Sequence, residues 1–397
     1  MQLGQLKGGS AKTLLLVSTS TLEEMLRKGN VWYVRHYEQY FERVYVAYIT
    51  GKPHEPVTVG KTSLVSLAFG RSNKTNIVLA AYRIYRLARE VRPTIYLTAD
   101  LVYSWWTNRL VRFLIGARTY LMPVCIPEEI YKSSGLSMSS SLPIWLERLF
   151  VRLSFASADY IVAGRHTGKL ADWLQSSRLP RRKLIVVDTI VDELPSNGFF
   201  RNLRARRGRD SRRIGKSGSF VLVYVGRLHK EKLVEDLVRM MAKTKELCDY
   251  GIQIRLNLIG EGPEKTRLER LARELGVERM IKFVGSIPNE DLPKHLLDAD
   301  VFVSTLTGTA LREAALCGLP IVAYNFDWIQ GLLKHEETAL LVRSGNYQGM
   351  ASQVLRLVCD EKLRSRLSQN VRVLAEGLWS PEGLRESLSQ AFGGWLD

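Results

Sequence analysis

FVLVYVGRLHKEK (220–232) is the stretch whose reading decides the fold. Its first six residues are apolar and mostly β-branched or aromatic, the composition of a strand buried on both faces, and the run ends at Gly226. A helical segment follows. Related units recur at IRLNLIGEGPE (254–264), IKFVGSIPNEDL (281–292), ADVFVSTLTG (299–308) and TALREAALCGLPIVAY (309–324). Short apolar strands that close on glycine and alternate with helices specify an α/β fold with a parallel sheet. Such a sheet gathers its ligand site at the carboxyl ends of its strands, where glycine lets backbone come close and helix tips offer open amides.

Outward from this stretch the same rhythm continues. Helices are expected at 234–246, 264–275, 289–297, 309–317 and 347–359, then at 362–374 and from Pro381 onward. In the first half, strands are expected at 13–17, 44–49, 94–97, 119–124, 160–163 and 184–187, with helices at 76–90, 142–154 and 167–175. A chain of 397 residues exceeds one ordinary core. The expected division is a domain at 1–200, a basic linker at 201–218 (RNLRARRGRDSRRIGKSG), a second domain at 219–380 and a C-terminal helix at 381–397 that packs back on the first domain. Two α/β halves imply a ligand cleft between them.

Composition narrows the classes. Hydrophobic content of 46% with 24% charged residues fits a globular protein. The start, MQLGQLKGGSAK, lacks the apolar core of a signal peptide, and no run reaches the roughly 18 apolar residues of a membrane span. Four cysteines without metal-like spacing fit a reducing compartment, so the expected location is cytoplasmic. The net charge of +17 is uneven: +11 in residues 1–200, +6 in 201–213 and zero in 214–397. That field favours an anionic partner at the first half, which a solvated charge-rich surface would also explain. The segment 101–118 (LVYSWWTNRLVRFLIGAR) sets Trp105, Trp106, Leu110 and Phe113 beside Arg109, Arg112 and Arg118. It reads either as an interfacial helix on the inner face of a membrane or as an amphipathic helix on its own sheet. Nucleic-acid binding through 201–213 is disfavoured, because the run lacks interleaved aromatics.

Individual residues sharpen the site. Gly226 ends a strand, Arg227 offers a bidentate fork and Lys232 a mobile point charge, and together they suit a diphosphate. Gly308 precedes a helix whose first amides, from Thr309 through Ala310 to Leu311, can hold phosphate. Glu313 lies one turn beyond Thr309, where its carboxylate can accept hydrogen bonds from a ribose diol. Asp100, just past the strand TIYLT, is a cleft candidate in the first half. Six histidines at 36, 54, 166, 229, 295 and 335 mark neither a triad nor a metal cluster.

The order VGRL–x–KEK, LIGEGPE, I–x–FVG, ADVFV and EA–x–x–CGLPIVA resembles the C-terminal domain of the retaining glycosyltransferases of family 4. The resemblance covers about 120 residues. It implies a GT-B fold, two Rossmann-like domains facing each other across a cleft. It also implies transfer of a sugar, with retention, from a nucleotide-diphosphate sugar to an acceptor, without metal or other cofactor; the positive charge of the first half points to a glycan or lipid-linked acceptor. By it, Arg227 and Lys232 bind the donor diphosphate, Glu313 is the second acid of the E-x7-E motif, and the backbone around Gly285 and Ile287 walls the nucleobase. The sequence departs from the family where Thr305 stands for the first acid and Leu233 for the glycine after the lysine. No histidine follows the strand at 119–124, where Pro123, Val124 and Cys125 stand. Rival readings are a different GT-B activity, such as a phosphorylase or epimerase, and a degenerate, non-catalytic binding subunit.

Overall fold

The computed structural model describes residues 12–21, 34, 36–50, 54–67, 77–99, 104–122, 144–164, 183–187, 195, 197–207, 219–247, 252–306, 308–326 and 329–392. The chain divides into two units, Met1–Asp192 with Glu386–Asp397, and Glu193–Arg385.

The first unit is built on strands β1 (Thr13–Thr21), β2 (Arg43–Thr50), β3 (Val57–Val59) and β4 (Thr62–Ser66), then helix α1 (Ile77–Val91) and β5 (Ile95–Thr98). Helix α2 (Ser104–Ile115), β6 (Arg118–Leu121), α3 (Ile144–Ser157), β7 (Tyr160–Gly164) and β8 (Leu184–Val187) complete it. The sheet order is β3-β4-β2-β1-β5-β6-β7-β8. Only the hairpin β3–β4 is antiparallel, and this edge feature was not expected from the sequence. Its members are only three and five residues long, too short for an apolar period to mark them. Leu15, Val17, Tyr45 and Tyr96 on one sheet face pack with Ile84 and Leu87 of α1 and Val111 of α2. Burying each aliphatic side chain contributes about 1.5–3 kcal/mol.

The second unit opens with helix α4 (Asn197–Arg207) and continues with β9 (Ser219–Val225), α5 (Val234–Leu247), β10 (Gln253–Ile259), α6 (Lys265–Glu274) and β11 (Ile281–Gly285). Then come α7 (Leu292–Leu297), β12 (Val301–Ser304), α8 (Thr309–Leu316), β13 (Ile321–Asn325), α9 (Ile329–Leu332) and β14 (Leu340–Arg343). Helices α10 (Tyr347–Cys359), α11 (Glu361–Trp379) and α12 (Pro381–Phe392) finish the chain. The order β11-β10-β9-β12-β13-β14 is parallel throughout. Phe220, Leu222 and Tyr224 of β9 alternate inward against Ile254, Leu256 and Leu258 of β10, with Leu237 and Met241 of α5 above them.

The boundary between units falls eight residues before the expected one, and the expected linker is partly a helix. Phe199 and Leu203 sit four apart on α4 and are buried, as is Phe200, so this arginine-rich helix has a stripe to pack. The Asn202 side chain donates to the Glu290 carbonyl at 2.7 Å, tying α4 to the turn before α7. The apolar pair Phe199–Phe200 lies just outside the Arg/Gly-rich window, which is why composition alone read a linker. Residues 208–218, the expected helix 167–175 and the candidate Asp100 lie outside the described residues, as do Pro123, Val124 and Cys125. At the other end, the residues of α12 from Glu386 count with the first unit, where the Phe392 ring meets Tyr120 at 4.9 Å and Phe41 at 6.3 Å.

Candidate functional site

Strand order locates the site before any side chain is considered. In the second sheet the chain starts centrally at β9, winds outward to β11, then crosses back to β12 on the other side of β9. Neighbouring crossovers leave in opposite directions between β9 and β12, and their carboxyl ends open a crevice there. Gly226 follows β9 and Thr305 follows β12, so both flank that switch point.

The crevice is cleared by glycine. Gly260, at the end of β10, has φ +135°, and a Cβ there would stand 2.0 Å from the Gly226 carbonyl oxygen. No L side chain fits, and the tight approach lets the Gly226 amide donate to the Ile259 carbonyl at 2.9 Å. Arg227 projects from the next position, exposed and paired with the Glu231 carboxylate at 3.0 Å. Lys232 ends a single 3-10 turn, Lys230–Lys232. Its ammonium is half-buried, and burial together with the nearby Arg227 charge holds its pKa below the ordinary value, against the opposing pull of Glu231. An anion at this edge would relieve both effects. Leu233 then takes a left-handed conformation, φ 49° and ψ 35°, which explains why the resembled family has glycine there.

Thr305 is fully buried, and its hydroxyl donates to the Lys232 carbonyl at 2.6 Å. The residue at the first-acid position therefore ties β12 to the turn that carries Lys232. A carboxylate in the same pose would set two acceptors against each other.

Glu313, on the first turns of α8, is only 3% exposed. The side-chain amide of Asn289 donates to its Oε1. Burial pushes the Glu313 carboxyl up to about 7, while the Asn289 bond and the Arg312 charge pull the other way. Near neutral pH this carboxyl therefore changes charge with small shifts in its surroundings. At the tip of α8 one expected amide is occupied: Leu311 donates to the Gly308 carbonyl at 3.1 Å. That narrows the open amides to those of Thr309 and Ala310. β11 closes on Gly285, with φ +85°, and half-buried Ile287 leads to Asn289. The loop read as a nucleobase wall is thus fastened to Glu313 through Asn289, a residue that sequence reasoning missed. No local pattern links an asparagine to an acid 24 positions away.

Helix α2 of the first unit has a mixed packing face. It buries Ser104, Thr107, Asn108 and Val111. Thr107 accepts from the Tyr96 hydroxyl at 2.8 Å, Asn108 donates to Ser157 at 3.1 Å, and Arg112 meets Asp159 at 2.9 Å. Outward it shows Trp106 at 39%, Phe113 at 77% and Leu114 at 61% exposure. Its neighbours α1 and α3 expose Leu79, Tyr82 and Leu149. The helix also packs on its own sheet through Val111 and Ile115, so its exposed aromatics sit beside an apolar contact with the core. Among the described residues no helix is long and apolar enough to cross a membrane.

Comparison with known proteins adds to this geometry. Residues 207–373 match the sequence model of the family described as Glycosyl transferases group 1. N-acetyl-alpha-D-glucosaminyl L-malate synthase of Bacillus anthracis is 28% identical over 159 residues, 38% of this chain and 39% of that protein. Alpha-D-kanosaminyltransferase of Streptomyces kanamyceticus is 24% identical over 249 residues, 62% of each chain. The chain thus spans between 39% and 62% of the length of these relatives. The crystal structure of Anabaena HepE in complex with UDP superposes with a TM-score of 0.69 at 15% identity, covering 96% of this chain and 100% of the other. The chain therefore has the GT-B fold, with two Rossmann-like units, and residues 207–373 are similar in sequence to the group 1 glycosyl transferases.

Proposed function

We propose that the protein is a retaining glycosyltransferase of family 4. It moves a sugar from a nucleotide-diphosphate sugar to a glycan or lipid-linked acceptor, working in the cytoplasm at an anionic membrane surface. The observation that carries the reading is the placing of Arg227 and Lys232 beside the β9/β12 switch point, with a buried carboxylate, Glu313, on the helix that follows β12. Arg227, Lys232 and the amides of Thr309 and Ala310 bind the diphosphate and stabilise the negative charge that grows on it as the sugar leaves. Glu313, steadied by Asn289, receives the ribose hydroxyls. Gly285 and Ile287 border the base. The reading calls for no metal or cofactor, because two cations and a helix tip supply positive charge. Thr305 leaves the sugar side without a carboxylate at that position, so charge on the reacting carbon is met by the departing diphosphate.

Similarity to relatives named for lipopolysaccharide and capsular polysaccharide synthesis supports a glycan acceptor. The acceptor side is assigned to the first unit, whose sequence holds the excess of positive charge. The exposed Trp106, Phe113 and Leu114, beside Arg109 and Arg112, support contact with anionic lipid.

A thermal-shift screen of UDP-, GDP- and ADP-sugars identifies the donor, since a ligand that binds only the folded state raises the melting temperature. Donor consumption with that sugar is then expected to fall at least 100-fold in Arg227→Ala and in Glu313→Ala. Tight nucleotide binding with no turnover on any glycan or lipid acceptor overturns the transfer step.

A further inference from the structure

The second sheet has another opening, at the end of its strands away from Gly226. A cavity of about 400 Å3 lies along the amino-terminal halves of β9 and β10 and the start of β11. It is lined by Arg255, Arg279 and Lys282, with Asn257 and Ser219 as neutral polar neighbours and no acidic residue among the described residues. Val221, also on its wall, is five residues upstream of Gly226, or about 16 Å along a parallel strand. The cavity is therefore separate from the β9/β12 crevice.

Residues 214–397 carry no net charge, and several of their surface cations are paired: Arg239 with Glu235, Lys243 with Glu246, Lys265 with Glu261, Arg356 with Glu336 and Arg372 with Glu376. Among the described residues Arg255 meets only the neutral side-chain oxygen of Gln253, at 3.2 Å. Arg279 and Lys282 make no hydrogen bond or ion pair among the described residues. Three like charges around one cavity raise the local positive potential, which favours an anion there most at low salt. Two guanidinium forks and one ammonium, with neutral donors beside them, match the oxygens of a phosphate.

We infer that this cavity is a second anion site, independent of the donor crevice, that takes a phosphate or diphosphate group. The source of the group is a soluble phosphorylated compound or a phospholipid headgroup, which the two arms of the test separate. In the full-length Arg227→Ala/Lys232→Ala variant, which removes the cations of the donor crevice, inorganic pyrophosphate titrated calorimetrically is expected to bind one site. Adding Arg279→Gln and Lys282→Gln weakens that binding at least tenfold and leaves the melting temperature unchanged, because both side chains are exposed. Affinity in the parent variant falls as salt rises. In the second arm, the wild-type chain and Arg279→Gln/Lys282→Gln are sedimented with phosphatidylglycerol vesicles. Lower vesicle binding of the variant, with competition by pyrophosphate, identifies a headgroup site; equal vesicle binding with lost pyrophosphate binding identifies a soluble ligand. The inference is overturned if Arg279→Gln/Lys282→Gln changes neither pyrophosphate nor vesicle binding, or if Arg227→Ala/Lys232→Ala alone abolishes pyrophosphate binding. A failed sugar-transfer assay leaves this test untouched.

Discussion

The two sheets are wound alike and furnished differently. In the first, the chain begins at β1, moves outward through β2 to β4 and returns to β5; in the second, β9, β10, β11 and β12 repeat that path. Each sheet consequently has a switch point. At the second, glycines press backbone against backbone, two cations share one edge and the helix after β12 carries a buried carboxyl. The first unit instead shows a layer of helices with aromatic side chains turned outward. Topology supplies the crevice, and local residue choice decides what the crevice can hold.

The comparison breaks first at Lys232. If the second switch point is the anion site, Lys232→Ala weakens nucleoside diphosphate binding about 10- to 100-fold, as expected for a lost charge-assisted bond of about 1.5–3 kcal/mol. The nucleoside without phosphates binds as before, and Trp106→Ala in the first unit leaves both affinities unchanged. Equal losses for nucleoside and nucleoside diphosphate would place the phosphates elsewhere.

Thr305 tests how that site is held. Thr305→Val keeps the shape and removes the donor to the Lys232 carbonyl, at a cost of about 1–3 kcal/mol in urea unfolding. Thr305→Ser restores most of the loss, and Thr305→Glu does not. A fully stable Thr305→Val protein would show that the bond is unimportant.

Glu313 makes stability depend on pH. Its folded pKa, about 7, lies above the ordinary 4.5, so the folded state holds the proton more tightly than the unfolded chain. The contribution is full below about 4.5 and is lost as pH rises through about 7. The urea midpoint of the wild type should drop between pH 5 and pH 8, and Glu313→Gln should flatten that drop. The same slope in both proteins would contradict the burial argument.

Smaller effects refine the turn. Leu233→Gly relieves a left-handed leucine by about 1 kcal/mol but removes a side chain packed on the core, so the melting temperature should change little or fall. Glu231→Gln releases Arg227 from an exposed ion pair; the stability change is about 0–1 kcal/mol, and phosphate affinity rises slightly. A fall in affinity would mean that Glu231 positions Arg227 instead of competing for it.

Much of the second unit was legible because its signals are short-range. A run such as VLVYV closing on Gly226 shows strand, strand end and backbone approach within a few residues. The first unit was less legible where polarity and burial part company. In α2 the packing face mixes Val111 with Ser104, Thr107 and Asn108, and Tyr96 and Ser157 bond Thr107 and Asn108, so apolar periodicity alone does not find that face. Helix α4 was hidden for a related reason: seven basic residues at 201–213 outweighed the buried Phe199, Phe200 and Leu203.

The sequence by itself determined the alternation of strands and helices, the division into two α/β halves, and the candidate donor residues Arg227, Lys232 and Glu313. Only the tertiary structure decided how those residues are supported. Thr305 reaches Lys232 across 73 positions, and Asn289 reaches Glu313 across 24. Glycine, proline and apolar periodicity act over one turn or one strand, whereas these bonds exist only because sheet order sets β12 beside β9 and the turn after β11 beside α8. A carboxyl's protonation likewise depends on what finally surrounds it. For Glu313 that is a buried pocket with one amide donor and one nearby arginine.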